Sequence, residues 1–98
     1  MEYKIAVLDE AIQEVQEAMD WYGEIIPDLS IDLEARFYTS LNAISKHPFT
    51  SQKIKFSFRK YNVSRFPYNI IFKIKDTQIT IVAFAHHKRK PNYWKKRK

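Results

Sequence analysis

The stretch "YNIIFKIKDTQITIVAFA", residues 68–85, decides the fold because it predicts a β-hairpin. Residues 68–75 and 78–85 are both rich in β-branched and aromatic side chains, and only Asp76 and Thr77 separate them. Two such runs joined by a two-residue turn are typical of paired antiparallel strands. The turn also fixes which residues lie opposite each other, and so which side chains share a face of the sheet.

The predicted register gives the hairpin one apolar face and one mixed face. The apolar face pairs Ile74 with Ile79, Phe72 with Ile81, Ile70 with Ala83, and Tyr68 with Ala85. The mixed face pairs Lys75 with Gln78, Lys73 with Thr80, Ile71 with Val82, and Asn69 with Phe84. We expect helices to cover the apolar face, because a sheet covered on one side normally shows polar residues on the other.

Three apolar residues of the mixed face, Ile71, Val82 and Phe84, then remain uncovered at one end of the hairpin. An exposed apolar cluster indicates a docking surface. Alternatively, part of the C-terminal segment, for example Trp94, folds back over it. The two interpretations are compatible.

The residues before the hairpin predict two helices and further strands. Residues 3–8 form a short strand, and Asp9 is an expected N-cap for a helix that ends at Pro27. Its apolar residues recur at helical spacing, and acids such as Glu14 and Glu17 are expected mostly on the opposite side. A second helix starts within residues 28–30 and ends before Pro48, after which residues 53–66 alternate at strand period. The predicted fold is therefore α+β, in the order β-α-α-β-β-β, with a helical hairpin on one face of a mainly antiparallel sheet.

The 98 residues are expected to form a single domain, residues 1–98, and their charge is divided unevenly. Residues 1–52 contain ten acidic and three basic side chains, whereas residues 53–98 contain fourteen basic side chains and one acidic. Such a local excess of positive charge attracts polyanions or an acidic protein. A generic DNA-binding module lacks support, because no recognition helix is evident and both helices are acidic outside.

Other function classes find little support in the sequence. There is no cysteine, which excludes disulfide and thiolate chemistry, and no apolar run long enough for a signal sequence or membrane span, so we expect a cytoplasmic protein. His86 and His87 are adjacent on a strand and point to opposite faces, and His47 lies at a helix end without nearby ligands. We predict neither a metal site nor a cofactor nor a small-molecule substrate.

The chain resembles the RelE/ParE superfamily of type II toxin–antitoxin toxins. The resemblance is carried by Arg65-Phe66-Pro67-Tyr68, by the alternation of residues 70–74, and by an ending of the form H-x-x-R-x-P-x-x-W, which here is His86, Arg89, Pro91 and Trp94. It is closest to the ParE-like branch, the plasmid stabilisation proteins. The resemblance implies a growth-inhibiting toxin that binds DNA gyrase and is neutralised by a cognate antitoxin, typically an acidic segment that folds on binding.

The RelE-like branch implies a different activity, metal-independent cleavage of mRNA on the ribosome. Nucleases of that branch typically place an arginine where this chain has Asn69, and a C-terminal tyrosine where it has Trp94. Both differences favour a non-enzymatic toxin. If the chain is a nuclease, the candidate catalytic residues are His86, Lys88, Arg89 and Tyr93, since a histidine can exchange protons near neutral pH. A diverged or inactive basic binding module is a third interpretation.

The sequence also predicts which residues contact a partner and which fix the C-terminal segment. Pro91, Tyr93 and Trp94 are expected to hold this segment against the sheet edge, and Lys95 to Lys98 to be a frayed, solvated end. The predicted partner-binding residues are Arg59, Arg65, Asn69, Ile71, Lys73, Val82, Phe84, His86, Arg89 and Trp94.

Overall fold

The computed structural model describes residues 3–97 and has the α+β architecture that the sequence predicts. The elements are β1 (Lys4–Val7), α1 (Asp9–Ile25), α2 (Pro27–Lys46), β2 (Gln52–Lys53), β3 (Arg59–Asn62), β4 (Tyr68–Lys75) and β5 (Gln78–His86). Within these residues the strands form a five-stranded sheet in the order β1-β5-β4-β3-β2. β1 is parallel to β5, and the other pairs are antiparallel. Neither α1 nor α2 is apolar enough along its length to cross a membrane.

The two helices form the predicted hairpin, with different boundary residues. Leu8 is the N-cap of α1 and makes no side-chain hydrogen bond, so the capping role predicted for Asp9 is wrong. Asp9 instead lies in the first turn, where a carboxylate is stabilised by the positive end of the helix. Pro27 occupies the first turn of α2, where its missing N–H group costs nothing.

The main core lies between the helices and one face of the sheet. Leu33 and Phe37 of α2 are buried there with Ile70 and Phe72 of β4. Phe84 belongs to the same core and is 2% exposed. Its ring stacks on Tyr68 at 4.4 Å between centroids and meets Phe37 edge-on at 5.6 Å.

A β-bulge in β5 changes the register predicted for the hairpin. Lys75 to Phe72 pair as predicted, but Ile71 pairs with Ala83 and Phe72 with Ile81, which leaves Val82 as the extra residue. Beyond the bulge the pairs are Ile70–Phe84, Asn69–Ala85 and Tyr68–His86, so the predicted partners of these residues are wrong. The extra residue turns Phe84 from the predicted mixed face to the helix-covered face.

The opposite face of the sheet carries a smaller core that the C-terminal segment covers. Ile71 and Val82 are buried there against Phe58 and Trp94, and Trp94 is 4% exposed. The rings of Phe58 and Trp94 meet edge-on at 4.8 Å. The prediction that Ile71, Val82 and Phe84 form an uncovered cluster is therefore wrong, and the alternative in which Trp94 folds over this face is confirmed.

Candidate functional site

A cleft with a volume of about 530 Å³ opens on the sheet face opposite the helices, and we call it the basic cleft. Residues 52–55 and Lys60 form one wall, and residues 89–94 form the other. Asn69, Ile71 and Ala85 lie on its floor, and His86 and His87 also line it. The cleft exists because the chain returns over the sheet after β5, anchored by Trp94.

The lining of the basic cleft carries charge of one sign. It contains Lys53, Lys55, Lys60, Arg89 and Lys90, and no aspartate or glutamate. The helices α1 and α2, which carry most of the acidic residues, pack on the other face of the sheet, and Glu14 of α1 is an acid that approaches the wall of the cleft, 4.0 Å from Arg89. A concave surface with one sign of charge and apolar walls concentrates the electrostatic field, so the cleft is a suitable place for an anionic ligand.

The Nδ1 atom of His86 is already occupied by a hydrogen bond, so the neutral ring is better placed to donate a hydrogen bond than to remove a proton from a ligand. Its Nδ1 accepts a hydrogen bond from the backbone N–H of Lys88 at 3.0 Å. The neutral ring therefore carries its hydrogen on Nε2. The ring also meets Tyr68 edge-on at 5.0 Å. Beyond the bulge His86 therefore lies on the same face of the sheet as Phe84, whereas Asn69 lies on the other face.

Glu14 of α1 ties the C-terminal segment to the bulge of β5. Its carboxylate accepts hydrogen bonds from the Phe84 backbone N–H at 3.0 Å and the Tyr93 hydroxyl at 2.6 Å. The Arg97 guanidinium donates to both Glu14 oxygens, at 2.8 and 3.1 Å, and to the Val82 carbonyl at 3.0 Å. These contacts satisfy backbone groups of β5 next to the point where β1 ends, and we call them the Glu14 network.

The Glu14 network was not predicted. Glu14 was expected mostly on the outer side of α1, but its side chain is 11% exposed. Arg97 was expected in a frayed end, but its side chain is 19% exposed and ion-paired, while Lys98 lies outside the described residues. Glu14 could have been found from its spacing, because it follows the buried Ala11 by three residues and precedes the buried Ala18 by four.

Tyr93 is fixed as a hydrogen-bond donor and not as a proton acceptor. Burial raises the pKa of Tyr93, and the hydrogen bond to Glu14 raises it further. The hydrogen bonds to Glu14 likewise raise the pKa of Arg97. The guanidinium of Arg89 lies 3.9 Å from the centre of the Tyr93 ring and 4.0 Å from Glu14, which positions Arg89 on the wall of the cleft.

The cleft brings together six predicted site residues, and others lie elsewhere. Asn69, Ile71, His86, Arg89 and Trp94 line it, together with the candidate catalytic residue Tyr93. Lys88 is exposed and contacts His86 only through its backbone in the hydrogen bond already described. Val82 lies beneath the C-terminal segment, and Phe84 lies in the main core.

Three predicted partner-binding cations have local structural contacts. Arg59 donates to the carbonyls of Phe49 and Ser51, at 3.2 and 2.8 Å, and so fixes the turn before β2. Arg65 has a φ of 74° and lies 3.9 Å from Asp32 of α2. The Lys73 ammonium is 6.0 Å from the centre of the Phe58 ring. The prediction missed Lys53 of β2 and Lys60 of β3. Both reach the cleft because β2 and β3 pair across the turn that joins them.

The fold is that of a chain in a solved toxin–antitoxin structure. One chain of the chromosomal ParDE TA system from P. aeruginosa superposes with a TM-score of 0.77 at 14% sequence identity, covering 86% of this chain and 95% of that one. This fold agrees with the one that the resemblance to RelE/ParE toxins implies. No protein-family model and no curated protein sequence matches the chain.

Proposed function

We propose that the chain is the toxin of a type II toxin–antitoxin module, a ParE-like growth inhibitor that acts on DNA gyrase in the cytoplasm and is neutralised by a cognate antitoxin. The observation that carries the proposal is a cationic cleft in which the candidate general bases are already occupied. His86 accepts at Nδ1, Tyr93 donates to Glu14, and Asn69 is uncharged. Such a site can bind an anionic macromolecule, but RNA cleavage also needs a group that removes the 2′-hydroxyl proton.

The proposed antitoxin is an acidic chain that finds this toxin by charge. The excess of basic side chains after residue 52 would accelerate the encounter. Asn69, His86 and Arg89 are the predicted partner-binding residues that line the cleft without being buried. Co-expression with the product of the adjacent reading frame should restore growth to cells that express the toxin, and failure of that product to bind would count against the module.

A ribosome-dependent nuclease is the second candidate, because the basic cleft also suits an RNA backbone. Arg89 could stabilise charge on a phosphorane, since 53% of its side chain is exposed. The two activities are separated by adding the protein to a gyrase supercoiling reaction and to a translating ribosome extract. We expect loss of supercoiling and intact mRNA. Codon-phased mRNA cuts that His86→Ala or Arg89→Ala abolishes would favour the nuclease.

A further inference from the structure

We propose that the basic cleft binds the phosphodiester backbone of a DNA strand. The inference deepens the proposed function and rests on it for its biological setting, because gyrase works on DNA. If it holds, the toxin contacts the enzyme together with its nucleic acid, and not the enzyme surface alone.

The first support is the placement of cations on both walls of the cleft. Lys53, Lys55 and Lys60 lie on one wall and Arg89 and Lys90 on the other, and the lining contains no carboxylate. Among the ion pairs of residues 3–97, the lysines of the cleft have no partner, and only Arg89 approaches an acid. Unpaired cations that face one another repel unless an anion lies between them. The arrangement therefore favours binding of a negatively charged ligand between the two walls.

The second support is that the polar groups around the cleft are side-chain donors and amides. The Nε2–H of His86 is a donor in the neutral ring, and Gln52 and Asn69 add neutral amides. β4, which forms part of the floor, is paired on both sides, with β3 and β5, so a ligand on the floor cannot pair with it as an added strand. Phosphate oxygens need only hydrogen-bond donors, and this lining supplies them.

The third support is an exposed aromatic residue that follows one wall. Phe56 comes directly after Lys55, and its ring is 59% exposed. Its φ of 63° is unusual for a bulky residue. The ammonium of Lys95, the residue after Trp94 of the other wall, lies 5.8 Å from the centre of this ring. An exposed aromatic ring beside a basic groove is a suitable stacking surface for an unpaired base.

The test is a titration of labelled DNA with the full chain. Fluorescence anisotropy would be measured with a single strand of about 12 nucleotides and with its duplex, over a range of salt concentrations. Lys53→Glu/Lys60→Glu changes the cleft. Lys4→Glu/Lys75→Glu makes the same charge change at exposed positions near the β4–β5 turn and serves as the matched control. Circular dichroism confirms that each variant is folded.

We expect the cleft variant to bind at least about tenfold more weakly and its salt slope to fall by about two, because each lost phosphate contact removes about one unit. The control should bind within about threefold of the parent, since its charges lie beyond the range of close contact. Equal weakening of both variants would overturn the site, because it would show a response to net charge alone. So would parent protein that fails to bind either DNA, or that binds a matching RNA strand more than about tenfold more tightly.

The same proteins in the supercoiling reaction separate this inference from the proposed function. Inhibition by parent protein that does not bind DNA would overturn the DNA site and leave gyrase as the target. Cleft-dependent DNA binding without inhibition would support the site and contradict the gyrase proposal. Loss of inhibition in the cleft variant, with inhibition retained by the control, would support both.

Discussion

Replacing Glu14 by glutamine should destabilise the protein, because one carboxylate connects α1, the bulge of β5 and the C-terminal segment. The substitution keeps the size of the side chain and an oxygen for the Phe84 N–H group. It removes the negative charge from a side chain that is 11% exposed and accepts from Tyr93 and from both terminal nitrogens of Arg97. The Arg97 cation would lose its counter-charge while still bound to the Val82 carbonyl.

The expected loss is about 2–3 kcal/mol of unfolding free energy. Breaking a fully buried ion pair by removing one partner costs about 3–5 kcal/mol, and each hydrogen bond to a charged group contributes about 1.5–3 kcal/mol. We expect a loss below the value for a fully buried pair, because 19% of the Arg97 side chain is exposed and its guanidinium can regain contact with water. For a chain of this length, such a loss lowers the melting temperature by roughly 10–20 °C.

The assay is thermal and urea unfolding followed by circular dichroism, with Glu17→Gln as the control. Glu17 is exposed on the same helix and accepts one long hydrogen bond, at 3.5 Å, so its loss should stay within about 0.5 kcal/mol. Arg97→Gln should destabilise like Glu14→Gln, and the double variant should lose less than the sum of the two. The role assigned to the Glu14 network would be refuted if Glu14→Gln unfolded at the same temperature and urea concentration as Glu17→Gln. It would also be refuted if the double variant lost the full sum of the two single losses.

Two further predictions concern the same part of the molecule. Tyr93→Phe should lower the free energy of unfolding by about 1–2 kcal/mol near neutral pH. Above about pH 10 the parent protein should lose this advantage over the variant. The reason is that Tyr93 ionises there in the unfolded state, while its raised pKa keeps it protonated in the folded state. Urea unfolding midpoints at about pH 8 and about pH 11 measure the difference in stability between the parent and Tyr93→Phe. A difference that grows with pH would contradict the prediction. Phe84→Ala should cost about 3–5 kcal/mol as a core truncation, whereas Phe56→Ala at an exposed ring should cost less than about 1 kcal/mol; similar losses would contradict the assignment of Phe84 to the core.

The sequence predicted the layers of the fold correctly and failed where backbone geometry changes the alternation of side chains. The periods of residues 9–46 and 68–85 fixed two helices and a hairpin. The bulge at Val82 could not be predicted, because every residue from Ile79 to Ala85 except Thr80 is apolar, so either register keeps apolar residues on both faces. One extra residue was enough to move Phe84 into the main core.

The C-terminal side of the candidate site was predicted from the sequence, whereas the side formed by β2 and β3 was not, because it depends on backbone geometry. The charge asymmetry and the C-terminal motif located His86, Arg89 and Trp94, which all line the cleft. Lys53 and Lys60 depend on how β2 and β3 pair across the irregular turn between them, and two successive residues of that turn have positive φ. Side-chain patterns carry little information about such a turn, since positive φ at Phe56 and Ser57 is unusual for residues other than glycine.

The most direct test of a toxin that acts on gyrase without cleaving RNA is a measurement of broken DNA and cut mRNA in the same cells. The chain would be expressed briefly in a bacterial host, and covalent gyrase–DNA complexes and mRNA 5′ ends would be mapped from one culture. The account predicts that cleaved gyrase–DNA complexes accumulate before growth stops, with mRNA ends unchanged. Codon-phased mRNA ends that appear without gyrase–DNA complexes would contradict it.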